Sequence, residues 1–318
     1  MVSRILQVPQ GTGFFSEFTM NAEAATLDRS MAEGCQQLAD YVELTKPRIT
    51  ALILMSTLAG FYLGSPGSPA IWLLVHTLIG TALVASGTAT LNQFWERDVD
   101  SRMLRTRNRP LAAGRMRPWK ALCFGIVISV AGVLHLAWTT NVLASLLAAF
   151  TLCSYLFLYT PLKRRTPLCT MIGAIPGAIP PLLGWVAARG EITLAACILF
   201  LVLFLWQFPH FLSIAWLYRD DYARGGIAML PVIEPDGQAT SRQVMITCAV
   251  LLPVSLAPSL LGLTGYFYLA GALALGLGFF HFGRRLAIAK TTLEARRLLQ
   301  ASVIYLPLIY GLMILDRK

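Results

Sequence analysis

The sequence predicts an all-α membrane protein built as a bundle of about nine transmembrane helices, and three observations support this fold class. Of its 318 residues, 56% are hydrophobic and only 13% are charged, whereas a soluble domain carries roughly 25% charged residues. The mean hydropathy is +0.63. Apolar runs as long as the roughly 17–25 residues needed to cross a bilayer recur from residue 49 onward, and none shows the period-2 alternation of a strand.

Short polar connections separate most of the apolar runs, and each run is one predicted helix. We expect the spans at residues 49–66, 69–94, 119–138, 141–162, 168–188, 192–217, 242–263, 266–283 and 298–315. Residues 1–40 contain no comparable run and resemble neither a signal peptide nor an arginine-rich transit peptide. The sequence therefore predicts a mobile cytoplasmic tail over residues 1–40 and one transmembrane domain over residues 41–318.

The basic residues predict the orientation of the bundle. Nearly all of them lie on the N-terminal side or in the loops after the second, fourth, sixth and eighth spans, at residues 97–120, 163–165, 219–242 and 284–297. Because cytoplasmic loops concentrate Lys and Arg, we expect a cytoplasmic N-terminus and a periplasmic C-terminus in a bacterial inner membrane. The net charge of +10 then reflects orientation in membrane lipid and predicts no nucleic-acid partner.

A row of oxygen-bearing side chains ends the second predicted span. Asn92, Glu96 and Asp100 are spaced four residues apart, so a helix places them on one face. Carboxylates near membrane depth are costly unless a cation compensates them, and Mg²⁺ takes oxygen ligands of this kind together with substrate phosphates. The alternative interpretation is a solvated helix end with interfacial salt bridges.

An arginine-dense loop follows the acidic row directly. Arg105 and Arg109 lie in this loop, and guanidinium groups bind phosphate oxygens in a bidentate manner. Metal-binding oxygens beside arginines indicate a site for a phosphate group. We expect an active site at the cytoplasmic side, beneath the two long loops.

These residues resemble a known family. The pattern N-x-x-x-[D/E]-x-x-x-D, followed by R-T-x-N-R-P-L, resembles the first aspartate motif of the UbiA-type intramembrane prenyltransferases. Further motifs resemble the heme O synthase branch of that family, and the resemblance runs from about Leu44 to the last span. These motifs are Leu44-Thr-Lys-Pro-Arg48, Tyr159-Thr-Pro-Leu-Lys-Arg-Arg-Thr166, Gly177-Ala-Ile-Pro-Pro-Leu-Leu-Gly-Trp185, Trp206-Gln-Phe-Pro-His-Phe211 and Arg219-Asp-Asp-Tyr222.

The resemblance implies a magnesium site on farnesyl diphosphate. Asn92, Glu96 and Asp100 would hold the metal, with Asp220 and Asp221 contributing from a second motif. Two departures from the family pattern concern this site: Glu96 stands where relatives often carry aspartate, and the second motif lacks the multiple aspartates of quinone-type relatives.

The resemblance also implies residues that bind the diphosphate and promote its departure. Arg48, Arg105, Arg109 and Lys163 would neutralise the leaving group, and Lys163 would also act in catalysis. Tyr159 would face the reacting carbon, which agrees with the general need for a π face near a developing carbocation.

A third group would contact heme b. Trp206, Gln207 and His210 form this group, and His210 would either contact the heme iron or transfer a proton. The implied reaction moves a farnesyl group to a heme vinyl group, with addition of water, and gives heme O and diphosphate. Heme A synthase or terminal-oxidase assembly proteins would be possible partners.

Three other functions compete with this interpretation. The first is prenylation of an aromatic quinone precursor by the same fold, which aspartate-rich second motifs would favour. The second is a transporter, which charges at the membrane midplane would favour. The third is a heme-binding membrane factor that performs no chemistry.

Overall fold

The computed structural model describes residues 34–318, and over that range the chain is helical, with no strand longer than an isolated bridge between Thr264 and Arg317. The all-α prediction is confirmed. Of the predicted tail, residues 1–33 lie outside the described range. Residues 34–44 are helical (α1), and the compact unit Glu43–Lys318 contains the bundle.

Nine helices within residues 34–318 are long and apolar enough to cross a membrane, as the sequence predicts. In chain order they are α2 (Pro47–Gly64), α3 (Ile71–Asp100), α4 (Pro118–Thr139), the continuous helix Val142–Leu162, α7 (Cys169–Arg189), α8 (Leu194–Leu217), α11 (Gln238–Leu260), α12 (Tyr266–Ala289) and α13 (Thr292–Leu315). Helix Val142–Leu162 consists of α5 (Val142–Cys153), a π-helical turn (Ser154–Tyr159) and α6 (Thr160–Leu162). Two short helices, α9 (Arg219–Arg224) and α10 (Leu230–Ile233), lie in the loop between α8 and α11.

Local chemistry explains several helix ends. Pro47 and Pro118 occupy the first position of α2 and α4, where a missing N–H costs nothing and the fixed φ suits a helix. Asn141 begins α5 by accepting a hydrogen bond from the Ala144 amide at 2.8 Å, as an N-cap does. Gly190 ends α7 with φ +79°, in the left-handed region that favours glycine.

Helix α7 lies at the centre of the bundle and packs closely against α2. A Cβ at Gly60 would collide with the Pro181 carbonyl, and one at Gly184 would collide with the Thr57 carbonyl. Small residues at such crossings let two membrane helices approach backbone to backbone. This contact fixes α2 and α7 as one side of the cavity described below.

Helix α3 extends beyond the membrane span that the sequence predicts for it. We expected the span to end at residue 94, whereas the helix continues to Asp100 and contains 30 residues. At 1.5 Å per residue this is about 45 Å, more than the roughly 30 Å of a bilayer core. The last turns of α3 therefore carry Asn92, Glu96 and Asp100 on one helical face toward the end of the bundle.

Candidate active site

A cavity of about 430 Å³ opens among α2, α3, the π-helical turn, α7 and α8. The arginine-dense loop after α3 and residues near α9 complete its wall. Ten of the predicted site residues line it: Asn92, Glu96, Asp100, Arg105, Arg109, Tyr159, Lys163, Trp206, Gln207 and His210.

Two buried ion pairs form the charged side of the cavity. Lys163 Nζ lies 2.9 Å from Glu96 Oε1, and Arg109 Nη1 lies 2.7 Å from Asp100 Oδ2. Burial alone would lower the pKa of the Lys163 ammonium, but the adjacent Glu96 carboxylate outweighs it and raises that pKa well above its usual value. Lys163 is therefore a permanent cation in the resting site.

Lys46 supplies a further cation. Its Nζ donates to Asn92 Oδ1 at 3.2 Å, and Asn92 in turn donates to the Thr160 hydroxyl at 3.2 Å. Burial and the nearby Arg109 charge lower the pKa of Lys46 to about 7. The residue has φ +49°, a left-handed conformation that costs roughly 1–2 kcal/mol for a side-chain-bearing residue, so its inward position is held under backbone strain.

Sequence reasoning missed Lys46. Lys46 lines the cavity, although the sequence predicted no site role for it. Arg48 is exposed and lies outside the cavity lining. The left-handed turn just before Pro47 separates the two side chains, and no spacing rule reveals such a turn.

Two tyrosines on the π-helical turn face Lys163. Its Nζ lies 4.3 Å from the ring centroid of Tyr159 and 5.8 Å from that of Tyr155, within cation–π range. Tyr155 also lines the cavity and was missed by sequence reasoning. Gly173 makes room for this arrangement, since a Cβ there would stand 2.5 Å from Tyr159 Cδ2. π-Helical turns occur often at functional sites, and here the turn brings two aromatic faces beside one cation.

Asp221 anchors the arginine-dense loop. Its carboxylate accepts hydrogen bonds from the backbone amides of Leu104 at 2.7 Å and Arg105 at 3.1 Å, and from Arg224 at 2.6 Å. Burial alone would raise the pKa of Asp221, but these donors outweigh it and lower that pKa below its usual value. Arg105 then reaches Tyr222, to whose hydroxyl it donates at 3.3 Å.

Three predicted site residues lie outside the cavity lining: Arg48, Asp220 and Asp221. The Asp220 side chain is 86% exposed and stands 3.8 Å from Arg219. Asp221 is buried, but its oxygens are engaged by the loop. The metal and diphosphate roles of these three residues stay predictions.

Aromatic and amide groups form another part of the cavity wall. Trp206 and His210 stack with ring centroids 4.6 Å apart and an interplanar angle of 20°. Gln207 donates to the Ala174 carbonyl at 3.0 Å, and Gly177 leaves space for its side-chain oxygen. The lining therefore combines a charged end, formed by the two ion pairs, with flat apolar surfaces.

The charged end fits a magnesium ion that is shared with a phosphate ligand. Asp100 is 1% exposed, and its Oδ1 has no hydrogen-bond partner; such an orphaned carboxylate oxygen is costly unless a ligand completes it. Within residues 34–318, no group of three or more His, Cys, Asp or Glu side chains is placed to hold a metal. Mg²⁺ commonly uses one or two carboxylates and takes its other oxygens from phosphate and water.

Together the fold and the cavity define a membrane-embedded protein whose cavity suits a ligand with an anionic head and an apolar body. The sequence profile described as the UbiA prenyltransferase family matches residues 53–304, and the chain belongs to this family. The prediction of a multi-pass prenyltransferase with this fold is confirmed.

Relatives with curated names extend over nearly all of the bundle. A protein named protoheme IX farnesyltransferase from Solibacter usitatus is 55% identical and covers 88% of this chain and 99% of its own length. A protein of the same name from Koribacter versatilis is 47% identical, with 88% and 94% covered. These relatives confirm the resemblance to the heme O synthase branch.

Two solved structures show the same fold. A digeranylgeranylglyceryl phosphate synthase has a TM-score of 0.75 at 18% identity, with 88% of this chain and 98% of that chain covered. A UbiA homologue from Archaeoglobus fulgidus, bound to GPP and Mg²⁺, has a TM-score of 0.62 at 17% identity, with 86% and 99% covered.

Proposed function

We propose that this protein transfers the farnesyl group of farnesyl diphosphate to a vinyl group of heme b, with addition of water, and so produces heme O and diphosphate. The observation that carries the proposal is the single cavity that joins ion-paired oxygen ligands to a stacked Trp206–His210 surface. Relatives named protoheme IX farnesyltransferase support the choice of substrates.

In this proposal Asn92, Glu96 and Asp100 hold Mg²⁺ at the charged end. When bound, the metal neutralises phosphate charge and helps the diphosphate to leave. The residues themselves exchange partners: Glu96 and Asp100 release Lys163 and Arg109, and the freed cations turn to the phosphate oxygens. A solved relative with GPP and Mg²⁺ supports the metal assignment.

Lys163 and Arg109, with Lys46 and Arg105, supply the positive surface for the departing diphosphate. Tyr159 presents its ring beside Lys163, where a π face stabilises the cationic carbon that forms as the bond to oxygen breaks. The surrounding apolar wall keeps water away until the allylic carbon reaches the vinyl group.

The proposal also assigns the protein to a membrane and names its partner proteins. The charged end lies where α2 begins and α3 and α8 end, beside the arginine-dense loop. The positive-inside rule then puts the active site at the cytoplasmic side of a bacterial inner membrane, with the C-terminus periplasmic. Both substrates enter from lipid, and the product passes to heme A synthase or to terminal-oxidase assembly proteins.

Mass analysis of extracted hemes tests the proposal. Membranes containing the protein are incubated with heme b, farnesyl diphosphate and Mg²⁺, and we expect a hydroxyethylfarnesyl heme. Asp100→Asn removes a buried carboxylate and abolishes the product. Asp98→Asn is the matched control, because this nearby side chain is 79% exposed and its loss leaves activity unchanged. Unmodified heme together with prenylation of an added aromatic acid would instead favour a quinone-type substrate.

A further inference from the structure

Ser302 on α13 holds both rings of the stacked pair. It is fully buried, and its hydroxyl lies 2.8 Å from His210 Nδ1. Its backbone carbonyl accepts the indole N–H of Trp206 at 2.9 Å. One residue of α13 therefore fixes two neighbouring aromatic side chains of α8, although it lies 92 positions from His210.

The proton on the Ser302 hydroxyl determines the tautomer of His210. That hydroxyl lies 2.6 Å from the Leu299 carbonyl, one turn earlier on α13. A serine has one hydroxyl proton, and a carbonyl oxygen at this distance can only accept it. The hydroxyl therefore donates to Leu299 and accepts from His210, which places the ring proton on Nδ1.

This tautomer leaves His210 Nε2 with a free lone pair. His210 lines the cavity, and no described residue forms a hydrogen bond with Nε2. A neutral imidazole nitrogen is a common ligand of heme iron. The hydrogen bond at Nδ1 orients the ring and increases its basicity, as partners of metal-binding histidines do.

The same contacts argue against a proton relay that passes through both nitrogens of His210, although the free Nε2 lone pair also suits a general base. A relay needs an exchangeable group on each side of the imidazole, but the Nδ1 side leads only to Ser302. From there the path ends at the Leu299 backbone carbonyl. The stacked Trp206 ring also restricts rotation of the imidazole that could carry a proton elsewhere.

We propose that Ser302 is a positioning residue that holds His210 in the Nδ1–H tautomer, so that His210 Nε2 binds the iron of heme b. This inference rests on the proposed function, because heme b is there the acceptor substrate. Of the two roles that the sequence left open for His210, it assigns iron ligation, and the spectra described next distinguish this role from proton transfer at Nε2.

Titration of the purified protein in detergent with ferric heme b, followed by absorption and electron paramagnetic resonance spectroscopy, tests the inference. We expect a histidine-ligated spectrum for the wild type and its loss in His210→Ala. Ser302→Ala weakens heme binding by about 10–100-fold, the usual effect of losing such a partner, and Ser302→Thr, which keeps the hydroxyl, restores the spectrum. Ser255→Ala is the matched control, since Ser255 is equally buried and makes the same bond to a carbonyl three residues earlier.

Metal-free protoporphyrin IX separates ligation from a general distortion of the cavity. We expect Ser302→Ala to bind this porphyrin as the wild type does. Equal weakening toward heme and protoporphyrin, or a wild-type heme spectrum in Ser302→Ala, would overturn the inference and leave the proposed function intact. A wild-type protein that binds no heme would overturn both.

Discussion

Asp221→Asn distinguishes a loop anchor from a metal ligand. The carboxylate accepts two backbone N–H groups from Leu104 and Arg105 and a guanidinium from Arg224. An asparagine keeps one acceptor oxygen and turns an amide donor toward one of the backbone N–H groups. A hydrogen bond to a charged group contributes about 1.5–3 kcal/mol. We therefore expect the free energy that keeps the loop ordered to fall by about 2 kcal/mol.

This loss predicts a specific kinetic change. A cost of about 2 kcal/mol is roughly a thirty-fold fall in the equilibrium constant for ordering of the loop. The loop carries Arg105, so we expect KM for farnesyl diphosphate to rise by up to this factor where ordering of the loop limits binding. The Mg²⁺ concentration needed for half-maximal activity stays constant. Amide exchange in residues 101–117 becomes faster. Asp98→Asn is the control with no expected effect, because that side chain is 79% exposed.

The opposite result is equally clear. If Asp221→Asn requires more Mg²⁺ while amide exchange of the loop is unchanged, the carboxylate acts on the metal and the anchoring argument is wrong.

The stabilisation of the loop by Asp221 also depends on pH. Because the folded state lowers the pKa of Asp221, its contribution is complete above about pH 4, the pKa of an unfolded aspartate, and disappears only as the pH falls through the lowered value.

Two further substitutions test the packing and the charge of the cavity. Gly173→Ala places a methyl group against the Tyr159 ring. We expect overpacking to reduce stability by about 1–3 kcal/mol and to lower kcat. Gly278→Ala, whose new methyl group meets no atom within 4 Å, leaves kcat unchanged in the same assay. Glu96→Gln leaves Lys163 as an uncompensated buried cation, which costs about 3–5 kcal/mol and lowers Tm in a thermal-unfolding assay. Adding Lys163→Met to Glu96→Gln raises Tm again, and an unchanged Tm in the single variant would contradict the buried-pair argument.

Hydropathy located the spans well but not the end of α3. The predicted span stopped at residue 94 because Glu96, Arg97 and Asp98 reduce the local hydropathy. The helix nevertheless continues to Asp100, since charged residues leave the lipid without losing their helical propensity. A hydropathy window identifies the residues that lie in the lipid, whereas backbone hydrogen bonding determines how far the helix continues.

The acidic row was predictable because its spacing is local, and the partners of the row were not. Glu96 and Lys163 are 67 positions apart, and His210 and Ser302 are 92 apart. No single-sequence periodicity encodes contacts between helices. The family resemblance pointed to Lys163 and His210 as single residues, but Ser302 carries no motif and only the packing of α13 against α8 reveals it.

The charges of the cavity predict that the proposed site would bind metal and diphosphate together rather than the metal alone. Four cationic side chains and two carboxylates line it, so a lone Mg²⁺ approaches a surface with excess positive charge. Burial lowers the pKa of Lys46 to about 7, which reduces this excess, and the pairs Lys163–Glu96 and Arg109–Asp100 remove most of the remaining desolvation cost. In the proposed function, a bound diphosphate would attract the four cations and leave the carboxylate oxygens of Glu96 and Asp100 available to hold Mg²⁺. On this proposal, the ion pairs Lys163–Glu96 and Arg109–Asp100 would favour joint binding of metal and diphosphate over binding of the metal alone.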